Sequence, residues 1–277
     1  MWTINPLEKI TMSKAGIIGL GSQGGPMARR MIDAGLDVVL WARRPQSLAP
    51  FSDTAAAFAD SISALGAQVA YCGICVVDDA GVQQVCDELI PAMAPGSHIA
   101  IHSTVHPALC RALAVQARAH GLWLVDAPVS GGGRGAARGD LTVMVGGDEK
   151  AVATLQPIFQ TFAGLVIHLG DVGAGQTAKL VNNNLMAANL ALAHHALELA
   201  DRLGIAREAF TRLVNVSSGR SFSFDVRARM ASPGDFAHGA ILLEKDLRLL
   251  GEVLGDSPHY RSMRNVAADF LDLALNP

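Results

Sequence analysis

The chain has 277 residues, half of them hydrophobic, and a formal net charge of −3. This composition excludes a disordered chain, and its length predicts two domains at roughly 100–200 residues each. The 22 Lys and Arg residues are scattered, so nothing indicates a nucleic-acid surface, and no apolar run is long enough for a membrane span. We expect a cytoplasmic protein, with residues 1–13 as an N-terminal extension that lacks the layout of a signal peptide.

Residues 14–172 alternate strand and helix patterns. KAGIIGLG predicts a strand, SQGGPMARRMIDAG a helix and LDVVLWA a strand, and an Ala-rich helix follows. Further strands are predicted at AYCGICVV, HIAIHS, WLVDAPV, LTVMVGG and LVIHLG. Helices are predicted between the first three of these strands. Such alternation predicts a doubly wound, mostly parallel α/β sheet of the Rossmann type. The CxxC pair in this region, Cys72 and Cys75, lies in an apolar strand pattern and is interpreted as two core cysteines.

The motif GLGSQG joins the first strand to the first helix. Its glycines, Gly19, Gly21 and Gly24, would permit a tight turn, a close approach to a pyrophosphate and close strand–helix packing. This placement predicts dinucleotide binding by the loop, whose members are Gly19, Leu20, Gly21, Ser22, Gln23 and Gly24.

The end of the second predicted strand bears on the choice of dinucleotide. NAD-preferring sites usually have an acidic residue there, whereas this chain has Ala42 followed by Arg43 and Arg44. A guanidinium suits a 2′-phosphate, so the sequence favours NADP(H) over NAD(H). Two solvated arginines in a loop are the alternative.

The composition changes after LGDVGAGQTA, and residues 173–277 are predicted to form an all-helical domain for substrate binding and dimerisation. One long helix is predicted from about Gln176 to Leu203. It opens with KLVNNN, in which Lys179 and Asn183 share one face. Because both are costly to bury without partners, we expect this face to line a cleft where the lysine exchanges a proton. The spacing fits a surface lysine equally well.

Four blocks in order resemble the β-hydroxyacid dehydrogenase family, which contains 3-hydroxyisobutyrate dehydrogenase and tartronate semialdehyde reductase. They are the GLGSQGGPMARRMIDAG loop, DAPVSGG followed by LTVMVGGD, GDVGAGQTAKLVNNN, and EKDLRLL. The resemblance runs from about Lys14 to Leu250. It implies hydride transfer between a nicotinamide cofactor and a small β-hydroxy acid or semialdehyde acid.

The resemblance also implies residue roles. Lys179 would be the general acid/base and Asn183 would hold the substrate, with no metal involved. The substrate would further contact Ser130, Gly131, Gly132 and Phe236. The cofactor would further contact Val77, Thr104 and Lys245.

Several departures from the family pattern bear on specificity, namely Gln23, His106, Arg134, Arg138 and Ala240. Decarboxylating 6-phosphogluconate dehydrogenases resemble this chain but have histidine where it has Asn182. Imine reductases typically replace the lysine. A non-catalytic NADP-binding regulator is the third alternative.

The long predicted helix is apolar all round, which predicts a homodimer or homotetramer formed through it. His194 and His195 lie about four turns beyond Lys179 and lack a ligand pair, so they are interpreted as packing or interface residues.

Overall fold

The computed structural model describes residues 14–276, so the predicted extension at residues 1–13 lies outside the described residues. The chain forms two compact units, one through Lys179 and the other from Leu180 onward. The boundary falls within one long helix. The predicted division after residue 172 stays a prediction.

The first unit contains a six-stranded parallel sheet with strand order β3-β2-β1-β4-β5-β6. This order is that of a dinucleotide-binding fold, and it reverses between β1 and β4. The strands are β1 (Ala15–Ile18), β2 (Val38–Trp41), β3 (Ala57–Phe58), β4 (Tyr71–Ile74), β5 (His98–Ile101) and β6 (Trp123–Asp126). The intervening helices are α1 (Gly24–Asp33), α2 (Ile62–Gly66), α3 (Asp79–Leu89) and α4 (Pro107–Ala119), with 3₁₀ segments at Pro45–Phe51 and Ile90–Ala92.

Each face of this sheet has its own apolar core, because alternate residues of a strand point to opposite faces. Ile17 of β1 packs with Met27 and Phe159 on one face, while Ile18 packs with Leu65 and other residues on the second. All four residues of β1 and of β4 are buried. Continuous apolar strands of this kind are typical of a parallel sheet covered on both sides.

A smaller mixed sheet completes the first unit. It contains β7 (Val129–Ser130), β8 (Leu141–Val145) and β9 (Ala163–His168), with β7 antiparallel and β9 parallel to β8. Helices α5 (Gly132–Arg138) and α6 (Glu149–Phe159) accompany it. The predicted strands LTVMVGG and LVIHLG are confirmed as β8 and β9, and they belong to this second sheet rather than to the parallel one.

The Ala-rich segment after β2 is not the helix that its composition predicts. Ala57 and Phe58 form the edge strand β3, and the amide of Ala59 donates to the carbonyl of Leu40. The short helix α2 begins only after Ser61, whose side chain caps the amide of Ala64 at 3.0 Å. Pairing with β2 thus overrides the helical propensity of alanine here.

The described part of the second unit is helical. It contains most of α7 (Ala174–Arg202), then α8 (Arg207–Asn215), α9 (Phe222–Ala228), α10 (Ala237–Leu254) and α11 (Pro258–Leu275), with a 3₁₀ segment at Pro233–Phe236. Leu190 of α7, Leu247 of α10 and Phe270 of α11 form its core with no exposed surface. The predicted α/β sheet followed by an all-helical region is confirmed.

Candidate functional site

The turn between β1 and α1 requires glycine at two of its three motif positions. Gly19 has φ +94°, and a Cβ built on it would overlap the carbonyl of Cys75. A Cβ on Gly24 would overlap the carbonyl of Gly19, because α1 begins directly against the strand end. Gly21 differs from both, since no atom lies within 4 Å of its Cβ position. Open space at this glycine is typical of dinucleotide-binding folds, in which the backbone there approaches the pyrophosphate.

A cavity of about 390 Å³ adjoins this turn, at the carboxyl ends of β1, β2 and β4. Dinucleotides bind at this kind of topological switch point in parallel sheets. Its polar lining includes Arg43 and Arg44, which are both exposed, and Asp78, which caps α3 by accepting from Gly81 at 2.9 Å. Val77 also lines this cavity. The structure thus brings Arg43, Arg44 and Val77 to the predicted cofactor loop.

The DAPVSGG segment lies beside the same loop. Ser130 ends β7, and Gly131 and Gly132 have φ +128° and +63°. A Cβ on the next residue, Gly133, would lie 2.5 Å from the carbonyl oxygen of Ser22. The serine-glycine turn and the cofactor loop are therefore in close contact within the first unit.

Thr104 occupies a loop after β5 in which the residues on both sides make hydrogen bonds. The hydroxyl of Ser103 accepts from the amide of Val76 at 2.8 Å. The amide of His106 donates to Asp79 at 2.9 Å, and the His106 ring accepts from Ala108 at 3.1 Å as the cap of α4. The departure at His106 thus has a structural role as the cap of α4.

Lys179 is buried, with 8% of its surface exposed, on the second turn of α7. Gln176, three residues earlier, is fully buried and hydrogen-bonds to the loop that contains Thr104. Its side chain accepts from the amide of Val105 at 3.1 Å and donates to the carbonyl of Ser103 at 2.8 Å. Gln176 therefore connects the first turn of α7, directly before the turn with Lys179, to the Thr104 loop.

Asp126, at the end of β6, caps the start of α7. Its fully buried carboxylate accepts from the amides of Gly173 at 2.6 Å and Gln176 at 2.7 Å. Burial raises the pKa of Asp126, and the two donated hydrogen bonds and the nearby Arg111 oppose that rise. Asp126 and Gln176 lie inside the DAPVSGG and GDVGAGQTAKLVNNN motifs, which predicted no role for either residue. The signal available in the sequence was an acidic residue at the end of the apolar strand pattern WLVD.

The three consecutive asparagines of α7 have different environments in the second unit. Asn182 is exposed, whereas Asn183 and Asn184 are buried. The amide of Asn183 donates to the Asp246 carboxylate at 2.6 Å, and Asn184 contacts the sulfur of Met263 at 3.9 Å. Asp246 is the acid of the KDL block, and the sequence pattern assigned it no role.

Asp246 and Lys245 are adjacent on α10. The Lys245 ammonium lies 3.3 Å from the Asp246 carboxylate, which is 5% exposed as a side chain. Phe236 is half-buried and packs against Phe270 at 6.0 Å between ring centroids. Ala240 is fully buried in the helical core. Asn183 and Lys245 are thus both joined to Asp246, whereas Phe236 and Ala240 belong to the core packing of this unit.

Other candidate groups have structural explanations. Burial raises the pKa of Cys72, and it raises that of Cys75 to about 11, so both thiols are protonated. Cys72 is a core residue as predicted, whereas Cys75 is partly exposed and lines the cavity beside the glycine turn. His194 accepts hydrogen bonds from Arg227, and His195 pairs with Asp269. Residues 14–276 contain no cluster of His, Cys, Asp and Glu placed to hold a metal ion. Among the helices of the same range, none has the length and apolar character needed to cross a bilayer.

Two family profiles divide the chain between them. The NAD binding domain of 6-phosphogluconate dehydrogenase matches residues 14–170, and the NAD-binding domain of NADP-dependent 3-hydroxyisobutyrate dehydrogenase matches residues 173–275.

Individual proteins match over almost the same length. An uncharacterized oxidoreductase of Mycobacterium tuberculosis is 37% identical over 259 residues, 87% of each chain. The NAD-dependent L-serine dehydrogenase of Pseudomonas aeruginosa is 31% identical and covers 95% of this chain and 93% of its own. The structure of M. tuberculosis 3-hydroxyisobutyrate dehydrogenase with L-serine superposes with a TM-score of 0.83 at 27% identity and 95% coverage of both chains. The chain therefore belongs to the β-hydroxyacid dehydrogenase family of NAD(P)-dependent oxidoreductases.

Proposed function

We propose that this enzyme is an NADP(H)-dependent oxidoreductase that interconverts a small β-hydroxy acid and the matching semialdehyde acid, with Lys179 as general acid/base. The observation that carries the proposal is the placement of Lys179. It is a buried lysine one turn after the helix start that Gln176 hydrogen-bonds to the Thr104 loop. A lysine in such surroundings is suited to holding a proton at a defined position.

The residues present fit a dinucleotide with a 2′-phosphate. The open position at Gly21 and the start of α1 suit the pyrophosphate, while Arg43 and Arg44 beside the cavity suit the additional phosphate. We assign cofactor contacts also to Leu20, Ser22, Gln23, Val77, Thr104 and Lys245. When bound, the nicotinamide supplies or accepts the hydride.

The substrate class follows from the chemistry of the Ser130 turn. A serine hydroxyl and exposed glycine amides make an anion site, so we assign the substrate carboxylate to Ser130, Gly131 and Gly132. L-serine and 3-hydroxyisobutyrate, named for two of the relatives, are both carboxylates with a hydroxyl on the β-carbon. A carboxylate with a β-hydroxyl is therefore the class that we propose.

The residues of α7 would act on the oxygen at the β-carbon. During reduction, the Lys179 ammonium donates a proton to the carbonyl oxygen, and during oxidation its amine accepts the hydroxyl proton. We assign to Asn183 a hydrogen bond to the substrate, with its amide oriented by Asp246. Phe236 is assigned an apolar substrate contact.

The experiment is a steady-state measurement of NADPH and NADH absorbance with a panel of small semialdehyde acids, keto acids and β-hydroxy acids. Turnover that prefers NADPH is expected for a member with a β-placed carbonyl or hydroxyl. Cyclic imines belong on the panel, because turnover of an imine alone would establish the imine reductase alternative. Cofactor binding without any turnover would favour a regulator.

We also propose a homodimer or homotetramer formed through α7. Val181, Leu185, Leu192 and Leu199 are about half exposed, between 49% and 59%. Their spacing places them along one face of the helix. A contiguous apolar stripe on a water-exposed helix is typical of an interface between subunits. The cytoplasmic location stays a prediction from the sequence.

A further inference from the structure

Helix α7 begins without a capping side chain of its own. Its first residues are Ala174, Gly175 and Gln176, preceded by Gly173. The first amides of a helix have no partner within the helix and need an acceptor when buried. Asp126 supplies it from the end of β6, by accepting from the amides of Gly173 and Gln176 at 2.6 and 2.7 Å. A strand residue about 50 positions away in sequence thus caps this helix.

The side chain of Gln176 makes a second connection, to the loop after β5. It uses both its acceptor and its donor there, on the amide of Val105 and the carbonyl of Ser103. A primary amide that is hydrogen-bonded at both ends has one orientation only. The first turn of α7 is therefore attached to the ends of two neighbouring strands, β5 and β6.

Close packing removes the remaining freedom of this turn. A Cβ on Gly175 would overlap the carbonyl of Met144 in β8. Gly173 has φ +98°, and a Cβ there would lie 2.5 Å from the guanidinium of Arg111 in α4. The backbone at both glycines therefore lies directly against neighbouring groups of the first unit.

We propose that Asp126 and Gln176 are positioning residues, which fix the height and rotation of the α7 turn that holds Lys179. The inference rests on the proposed function in that Lys179 is taken as the proton donor. A proton donor acts only within hydrogen-bond reach of the reacting oxygen, and misplacement by 1 Å costs on the order of 10²-fold in rate. The anchoring groups themselves touch neither substrate nor cofactor in this assignment.

The test measures the reactivity of the Lys179 amine in the full-length protein. Asp126→Asn keeps one acceptor oxygen but turns an NH₂ group toward the second amide, and Gln176→Leu removes both side-chain hydrogen bonds. Asp140→Asn and Gln156→Leu are matched controls at exposed positions. Each protein is treated briefly with acetic anhydride, and acetylation of Lys179 is quantified by peptide mass spectrometry relative to the exposed Lys150.

Relative acetylation of Lys179 is expected to rise roughly fivefold or more in both anchor variants, because local opening exposes the amine, and to stay constant in both controls. Unchanged acetylation in folded Gln176→Leu protein would overturn the inference. Gln176→Met, which keeps the volume of the side chain, replaces Gln176→Leu if the circular dichroism of the latter shows unfolding.

Kinetics separate positioning from a general loss of structure. With a panel substrate, kcat is expected to fall on the order of 100-fold in Asp126→Asn, whose side-chain hydrogen bonds reach only the start of α7, while the Kd for NADPH changes less than about twofold. A rise in acetylation with an unchanged kcat would overturn the positioning role. If the wild-type enzyme turns over no panel member, the proposed function fails, whereas the acetylation result still decides whether Asp126 and Gln176 hold the lysine.

Discussion

At the residue scale, Arg43 and Arg44 are the groups on which the proposed preference for NADP(H) rests. Both border the cavity at the end of β2, where the chain has Ala42 in place of the acidic residue that NAD-preferring sites usually have. A hydrogen bond to a charged group is worth about 1.5–3 kcal/mol, which corresponds to roughly 10- to 100-fold in affinity. Removing either guanidinium should therefore weaken NADPH binding and leave NADH binding nearly unchanged.

The measurement is a fluorescence titration of Arg43→Ala, Arg44→Ala and the double variant with each cofactor. The Kd for NADPH is expected to rise roughly tenfold per arginine, with Arg212→Ala as an exposed control in the helical unit. Equal losses of NADPH and NADH affinity would show that the two arginines do not recognise the 2′-phosphate.

Gly21 and Gly24 allow a second residue-scale test within one loop. Gly24→Ala is expected to lower the unfolding temperature by several degrees, because its Cβ would overlap the carbonyl of Gly19. Gly21→Ala should leave the unfolding temperature of the apoprotein within about 2 °C, since nothing lies within 4 Å of that Cβ, and should weaken NADPH binding at least about tenfold. Calorimetry of both variants measures the effect on the unfolding temperature, and cofactor titration measures the effect on NADPH affinity. Normal NADPH affinity in Gly21→Ala would contradict the assignment of that position to the pyrophosphate.

At the scale of elements, Tyr71 and His102 connect β4 to the segment after β6. The carbonyl of Ala127 lies 2.8 Å from Nδ1 of His102, so Nδ1 must carry the proton and Nε2 accepts from the Tyr71 hydroxyl at 2.9 Å. Burial lowers the pKa of His102 to about 4, and the hydrogen bond to Ala127 opposes that shift. The native state therefore favours the neutral ring.

This lowered pKa makes the stability of the first unit depend on pH. Because an unfolded histidine titrates near 6.5, the unfolded state binds more protons between about pH 6.5 and 4, and stability falls as pH decreases through that window. The shift corresponds to about 3 kcal/mol at most. Urea unfolding of the wild type and His102→Gln at pH 7.5 and 4.5 measures this change in the free energy of unfolding. His102→Gln, whose amide offers one donor and one acceptor, should lose less stability on acidification, and an equal loss would contradict a buried neutral His102.

The hydrogen bond between Asn183 of α7 and Asp246 of α10 allows a further test at the scale of elements. Asn183 and Asp246 are both buried, and the amide donates to the carboxylate at 2.6 Å. Asn183→Leu leaves an uncompensated buried carboxylate oxygen, and Asp246→Leu leaves an unpaired amide, each at a cost of about 1–3 kcal/mol. A double-mutant cycle by urea unfolding should show a coupling energy above about 1 kcal/mol. Additive losses would show that the pair does not stabilise the unit.

Some elements of the fold could be predicted from the sequence, and others could not. The strand alternation, the glycine turn and the long helix follow from local pattern, and the structure confirms them. The edge strand β3 was missed because its two residues gain their conformation from pairing with β2. Asp126 and Gln176 were missed as a pair because they are 50 residues apart and meet only after folding. Local sequence patterns hold no information about such long-range hydrogen bonds.

At the scale of the whole molecule, the exposed stripe on α7 predicts the assembly state. Leu185→Asp with Leu192→Asp places two charges on the proposed interface, where burial without partners is costly. Sedimentation at micromolar concentration should show a dimer or tetramer for the wild type and a monomer for the double variant. Leu213→Asp, at an exposed position on α8, is the control and should leave assembly unchanged. A monomeric wild type would remove the assembly proposal.

The central claim is that Lys179 supplies the proton in a reaction of a β-hydroxy acid or semialdehyde acid. The most direct test is kcat for Lys179→Ala and wild type on the preferred panel substrate, with the Kd for NADPH measured in parallel. General acid–base catalysis contributes about 10²- to 10⁴-fold, so we predict a fall in kcat of that size with NADPH affinity unchanged. A kcat within about twofold of wild type would contradict the assignment of Lys179 as the proton donor.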